Sequence, residues 1–136
     1  MIAEDIVAPN IPRLAREVFG ITEVQASGQR LERRHVADPS RFREFDMMLA
    51  GQGKLLLVET KATARVKYTD EFAEGLKDPF EYFPEHRGSA VIPIFASMAI
   101  GPDFVRRLTR HRIYALALGE RTLELLNLAE VSARRG

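Results

Sequence analysis

The spacing of apolar positions changes several times along the chain, and each change predicts an element. Ile11, Leu14 and Val18 recur at helical intervals behind Asn10, a residue suited to capping, and Gly20 marks the stop. Ile21 to Val36 carries β-branched residues and a weak alternation broken at Gly28, which predicts a long or bent strand. After the turn signal of Ala37 to Ser40, the segment Arg41 to Ala50 alternates cleanly. Phe45, Met47 and Leu49 fall on one predicted face, and Glu44, Asp46 and Met48 on the other. Gly51 to Gly53 predicts a hairpin turn, and Lys54 to Ala62 contains the unbroken apolar run Leu55 to Val58, expected of a strand covered on both faces.

From Thr69 the period becomes helical again, with Phe72, Leu76, Phe80 and Phe83 on one stripe; Pro79 is expected to bend that helix and Pro84 to end it. Ser89 to Ser97 reads as another apolar strand, and Gly101 and Pro102 open a helix that turns Phe104, Val105 and Leu108 inward. Ile113 to Leu118 and Thr122 to Leu126 read as a last hairpin about Gly119 and Glu120, and Val131 to Gly136 is expected to fray. The resulting order, αβββαβαββ, predicts an α/β fold in which a mixed β-sheet is flanked by helices.

Composition narrows the picture. A chain of 136 residues, 46% hydrophobic and 29% charged, predicts a single domain over residues 1–136 with a packed core. With no cysteine there is no disulfide, thiolate metal site or cysteine nucleophile. His35, His86 and His111 share no metal-ligand spacing and read as surface or hydrogen-bonded residues. The start lacks the basic and then apolar pattern of a secretory leader, so a cytoplasmic location is expected. The apolar segment Ala90 to Ile100 falls well short of the ~20 residues that span a bilayer, so no membrane association is expected. Net charge is only +1, but arginine is clustered: five lie between Arg30 and Arg43, and Arg106, Arg107, Arg110 and Arg112 form a second group without an acid.

The strand Leu55 to Ala62 poses the chemical question, because its apolar run ends in Glu59 and Lys61, groups that are costly to bury without partners. Residues two apart in a strand share a face, so these two side chains lie together. A hairpin register that pairs Asp46 with Glu59, or displaces that pairing by two, brings a second carboxylate to the same point. Two carboxylates in contact need a cation or a shared proton, and hard oxygen ligands suit Mg²⁺. A lysine two residues on can hold or activate the attacking water and neutralise charge on a phosphate.

Phe45 and Asp46, thirteen residues before Val58-Glu59-Thr60-Lys61, resemble the acid and E-x-K of the PD-(D/E)XK nuclease superfamily, the restriction endonuclease-like fold. The resemblance extends to the order of elements and covers nearly the whole chain, although Phe45 stands where the motif's name has proline. It implies a metal-dependent nuclease acting on DNA or RNA phosphodiesters with Mg²⁺ or Mn²⁺. Asp46, Glu59 and the backbone carbonyl of Thr60 would hold the ion, and Lys61 would serve the attacking water. Some members add an acid from the first helix, for which Glu17 and Glu23 are open candidates. Arg33, Arg34, Arg106, Arg107 and Arg110 are expected to contact nucleic-acid phosphates, and a homodimer would supply two sites for cutting a duplex. The alternatives are a noncatalytic nucleic-acid-binding or protein-interaction module on the same fold, and a regulatory domain that docks a partner through an exposed helix.

Overall fold

The computed structural model describes residues 3–118 and 123–135, the side chains of Leu118 and Arg135 excepted. Six strands form one sheet in sequence order: β1 (Ala26–Arg34), β2 (Phe42–Gly51), β3 (Lys54–Lys61), β4 (Ala90–Ser97), β5 (Tyr114–Leu118) and β6 (Leu123–Leu125). The pairs β1/β2, β2/β3 and β5/β6 are antiparallel, whereas β3/β4 and β4/β5 are parallel, so the expected mixed sheet is present. Helices α3 (Val66–Gly75) and α4 (Pro102–Arg110) are the crossovers that parallel pairing demands. Helices α1 (Ala3–Val7) and α5 (Leu128–Arg135) add one element before and one after the predicted order.

Alternation along the central strands divides the core between the two faces. On one, Met47, Leu49, Leu56, Val58, Ile92, Ile94 and Leu116 pack against Ile11, Ala15 and Phe19 of α2 (Ile11–Phe19) and Val131 of α5. On the other, Leu55 and Leu57 meet Tyr82 and Phe83, and Phe95 and Ala115 meet Phe72 of α3 and Leu108 of α4. Leu55 to Val58 is therefore buried from both sides, as the apolar run required. Pro93 is tolerated inside β4 because pairing with β5 begins only at Ile94, which leaves β4 an edge strand at the proline.

Several expectations are corrected. Asn10 does not cap α2 with its side chain. It is already in helical conformation after a 3₁₀ turn, and its Nδ2 donates to Ile6 O at 2.9 Å. The buried stripe of α2 runs through Ile11, Ala15 and Phe19, leaving Val18 exposed. The bend in β1 falls at Arg30 rather than Gly28. The predicted long helix starts at Val66 and stops at Gly75; Pro79 and Pro84, each without an N–H, open separate 3₁₀ turns instead. Phe80 and Phe83 still reach the core, from those turns. Val131 to Arg135 is helical, not frayed, because Val131 is fully buried and Asn127 anchors the helix start. Its Oδ1 accepts from Ala115 N at 2.7 Å, and its Nδ2 donates to Ile113 O at 3.0 Å. The predicted link at Gly119 and Glu120 lies outside the described residues. Among the described residues no helix is long and apolar enough to cross a membrane.

Candidate functional site

The site is built where the β2–β3 hairpin runs out. Its turn has Gln52 at φ 51° and Gly53 at φ 76°, the two left-handed residues of a type I′ turn, and that turn fixes the register. Pairing runs from Gly51 opposite Lys54 to Met47 opposite Val58, and the same count sets Asp46 against Glu59. Backbone pairing stops at that step. Thr60 N donates instead to Asp46 Oδ2 at 2.8 Å, so the first carboxylate closes the ladder with its own side chain.

A change of face accompanies this closure. Met48 and Ala50 point toward Tyr82 and Phe83 and Met47 points away, yet Phe45 again points toward Tyr82 and Phe83. Strict alternation would put Phe45 with Met47, so β2 switches face at Asp46. Strand β1 switches opposite it: Ala26 and Leu31 lie on one side although five positions apart, with Arg30 at φ 51° between them. Gln29 pairs with Met47 and Leu31 with Phe45, so neither strand gains a residue. The paired distortion frees Asp46 to reach toward β3 and turns Arg43 onto the face that carries Glu59.

Glu59 and Lys61 project on the α3 side of β3, with Lys61 Nζ 3.5 Å from Glu59 Oε1 and 4.6 Å from the centre of the Tyr68 ring. The Glu59 side chain is only a quarter exposed, and its pKa is pushed up from 4.5 to about 7. Burial is the first cause, the charge and hydrogen bond of the Asp46 carboxylate the second, and Lys61 opposes both. Asp46 and Glu59 thus lie within hydrogen-bonding reach in a place where two negative charges are costly.

Two adjacent carboxylates, one of them desolvated, are a donor set that a hard divalent cation can use. Glu17 is drawn to Arg13 at 3.4 Å on α2 and Glu23 is exposed, so neither first-helix candidate supplies a third acid. Among the described residues no set of three His, Asp or Glu side chains converges. An ion held here would keep several of its waters, which Mg²⁺ does readily. Thr60 is buried beside the pair.

A hollow of about 160 Å³ opens at Glu59, lined also by Arg43, Lys61, Tyr68, Glu71 and Phe72. The sequence reading missed Arg43, Tyr68 and Glu71. Tyr68 and Glu71 are three apart on α3, a helical spacing that could have flagged them. Arg43 could not have been found by alternation, because the switch at Asp46 reverses its face.

The predicted arginine contacts separate. Arg33 is half-buried and partnered: Nε donates to Tyr82 O at 2.9 Å, Nη2 meets Glu85 Oε2 at 2.6 Å, and the guanidinium lies over Phe83. Arg34 lies over the exposed ring of Phe42 at 4.7 Å. Arg107 forks onto Asp70 of α3 at 3.1 and 3.3 Å, and Arg106 pairs with Asp103. Arg110 is exposed with no ion pair among the described residues, on a ridge shared with Arg106 beside a hollow reaching Val66.

No protein-family model and no curated protein matches the chain. Among solved structures the fold is similar to the small subunit of a heterodimeric restriction endonuclease, with a TM-score of 0.42 and 14% identity over 80% of this chain and 63% of that one. The chain spans less than two thirds of that subunit, and a likeness this loose carries no functional weight.

Proposed function

We propose that this chain is a metal-dependent nuclease of the PD-(D/E)XK type, a single restriction endonuclease-like domain that hydrolyses DNA or RNA phosphodiesters with Mg²⁺ or Mn²⁺. The observation that carries the reading is the forced proximity of Asp46 and Glu59 at the end of two buried strands, with Lys61 beside them. Asp46 also closes the ladder, but a second acid that repels it at the same point is a cost that a bound cation would relieve.

Asp46 and Glu59 would hold the ion with the Thr60 carbonyl. Bound there, the ion would lower the pKa of water and neutralise charge developing on the phosphate. Lys61 Nζ is kept close to Glu59 and steadied over the Tyr68 ring, where an ammonium can orient the attacking water and balance the phosphorane charge. Asp46 has a second task, since its Oδ2 fixes Thr60 N and so the backbone between Glu59 and Lys61. Arg110 and Arg106 on the α4 ridge would meet backbone phosphates, and a second copy of the chain would supply a site for the opposite strand of a duplex.

The test is cleavage of single-stranded, duplex and branched DNA and RNA in Mg²⁺ or Mn²⁺. Wild type should cut at least one substrate, Lys61→Ala should lose cleavage while keeping metal affinity, and Glu59→Ala should lose both. A Lys61→Ala variant as active as wild type would remove Lys61 from the mechanism. A metal-binding wild type that binds these substrates but cuts none would favour the noncatalytic module.

A further inference from the structure

The hollow at Glu59 contains a second cation besides Lys61. The guanidinium of Arg43 enters from β2, stacked over Phe45 at 4.6 Å and near Tyr82 at 5.6 Å, with Nη1 donating to Gly75 O at 2.7 Å and 3.7 Å from Asp78 Oδ1. Burial depresses its pKa, while Asp78, Tyr82 and Glu59 favour its charge, so it stands within the field of the carboxylate. A guanidinium has five N–H groups, and among the described residues only one of these has a hydrogen-bond partner. Among the described residues no buried side-chain nitrogen lacks a partner, so Nε and Nη2 keep some contact with solvent.

The backbone around it is shaped to let the guanidinium in. A Cβ on Gly75 would come within 2.1 Å of Arg43 Nη2, so glycine at the end of α3 leaves the planar group its place. The wider cleft beyond, which adds Arg41 and Lys77, also adds Glu74 and Asp78. Lys77 is spent on Glu74 at 2.9 Å. That cleft carries both signs of charge. In the smaller hollow of about 160 Å³ Arg43 and Lys61 line the same space as Glu59 and Glu71, and an ion held by Glu59 would leave the two cations to face an anion.

We propose that Arg43 and Lys61 form a binding site for one phosphate group, with Arg43 contacting its non-bridging oxygens. The proposal rests on the nuclease reading for its biological ligand, the phosphate at or next to the bond that is cut. A planar fork held by two aromatic rings loses little freedom on meeting an anion, and charge-assisted pairs are the stronger kind of hydrogen bond. Arg43 is thus a substrate-positioning residue on the same strand as Asp46.

The experiment has two titrations. Mn²⁺ alone, followed by calorimetry, reads the carboxylate pair; inorganic phosphate, added to metal-free and Mn²⁺-loaded protein, reads the anion site. Arg43→Gln should keep Mn²⁺ affinity within about twofold and weaken phosphate by roughly tenfold or more, with Arg43→Lys recovering part of the loss. Gly75→Ala keeps the charge but displaces it, and should weaken phosphate as well. Thermal melts separate this from a packing role: a lower Tm with phosphate affinity equal to wild type in Arg43→Gln would overturn the proposal. If wild type binds no Mn²⁺, the nuclease reading falls, and phosphate binding by metal-free protein decides the anion site. Dependence on Arg43 there upholds it; independence, or no binding, refutes it.

Discussion

The two halves of β3 differ in nearly every respect although they adjoin in sequence. Leu55 to Val58 is covered on both faces, paired on both edges, and wholly apolar. Glu59 to Lys61 keeps its neighbour β4 but loses the backbone ladder to β2, where the Asp46 carboxylate takes over. The first half can do little except hold the sheet together. The second concentrates charge that the fold must tolerate, and the tolerance is costly enough to raise the pKa of Glu59. Stability and chemistry are thus divided along one strand, with the boundary at Val58.

The largest effect should come from the apolar half. Leu57→Ala removes a buried side chain from the cluster with Phe45 and Phe83 and should cost ~2–5 kcal/mol in chemical denaturation. Divalent-ion affinity of the folded fraction should hardly change. A large loss of metal affinity in that variant, with the fold intact, would blur the division proposed between the two halves.

Next comes pH. The folded pKa of Glu59 is raised from 4.5 to about 7, so the protonated acid is the form the fold favours. Its contribution is fully present below pH 4.5 and is lost as pH rises through 7, so metal-free protein should weaken over that window by on the order of 2–3 kcal/mol. Glu59→Gln should flatten this dependence and be the more stable protein at pH 8 without metal. Denaturation midpoints across pH 4 to 8 check it, and an unchanged slope in Glu59→Gln would assign the effect elsewhere.

Asp46 sharpens the comparison because its two tasks can be separated. Asp46→Ala leaves Thr60 N without its acceptor and should cost ~1–2 kcal/mol. Asp46→Asn keeps an acceptor and should recover most of that stability while remaining a poor metal ligand. The smallest effect belongs to the arginines. Arg110→Ala should reduce the salt slope of duplex binding by about 0.9, whereas Arg33→Ala should leave the slope alone because Arg33 is spent on Tyr82 O and Glu85.

Much of this was legible in the sequence. Alternation, the Gly-Gln-Gly turn and the apolar run pointed to the hairpin, and the cost of burying a lone charge favoured the registers that bring Asp46 to Glu59 or two residues from it. The order of elements followed from where the period changed. The unreadable parts depend on departures from period. The paired switch at Arg30 and Asp46 needs a left-handed residue that is not glycine, so no turn signal marks it, and with it Arg43 changed sides unseen. Helix α5 was missed because its anchor, Asn127, works through tertiary hydrogen bonds rather than through propensity. The arginine groups show what a run of like charges leaves out: the acids that Arg33 and Arg107 pair with, Glu85 and Asp70, lie far away in sequence.

The most direct test of the account is calorimetric titration of Mn²⁺ at pH 8 into wild type, Asp46→Ala and Lys61→Ala. A single site per chain in wild type, lost in Asp46→Ala and retained in Lys61→Ala, is the predicted result, since the acids hold the ion and the lysine acts beside it. Equal Mn²⁺ binding by wild type and a folded Asp46→Ala variant, or none by either, would contradict the claim that the charged end of β3 is a metal centre.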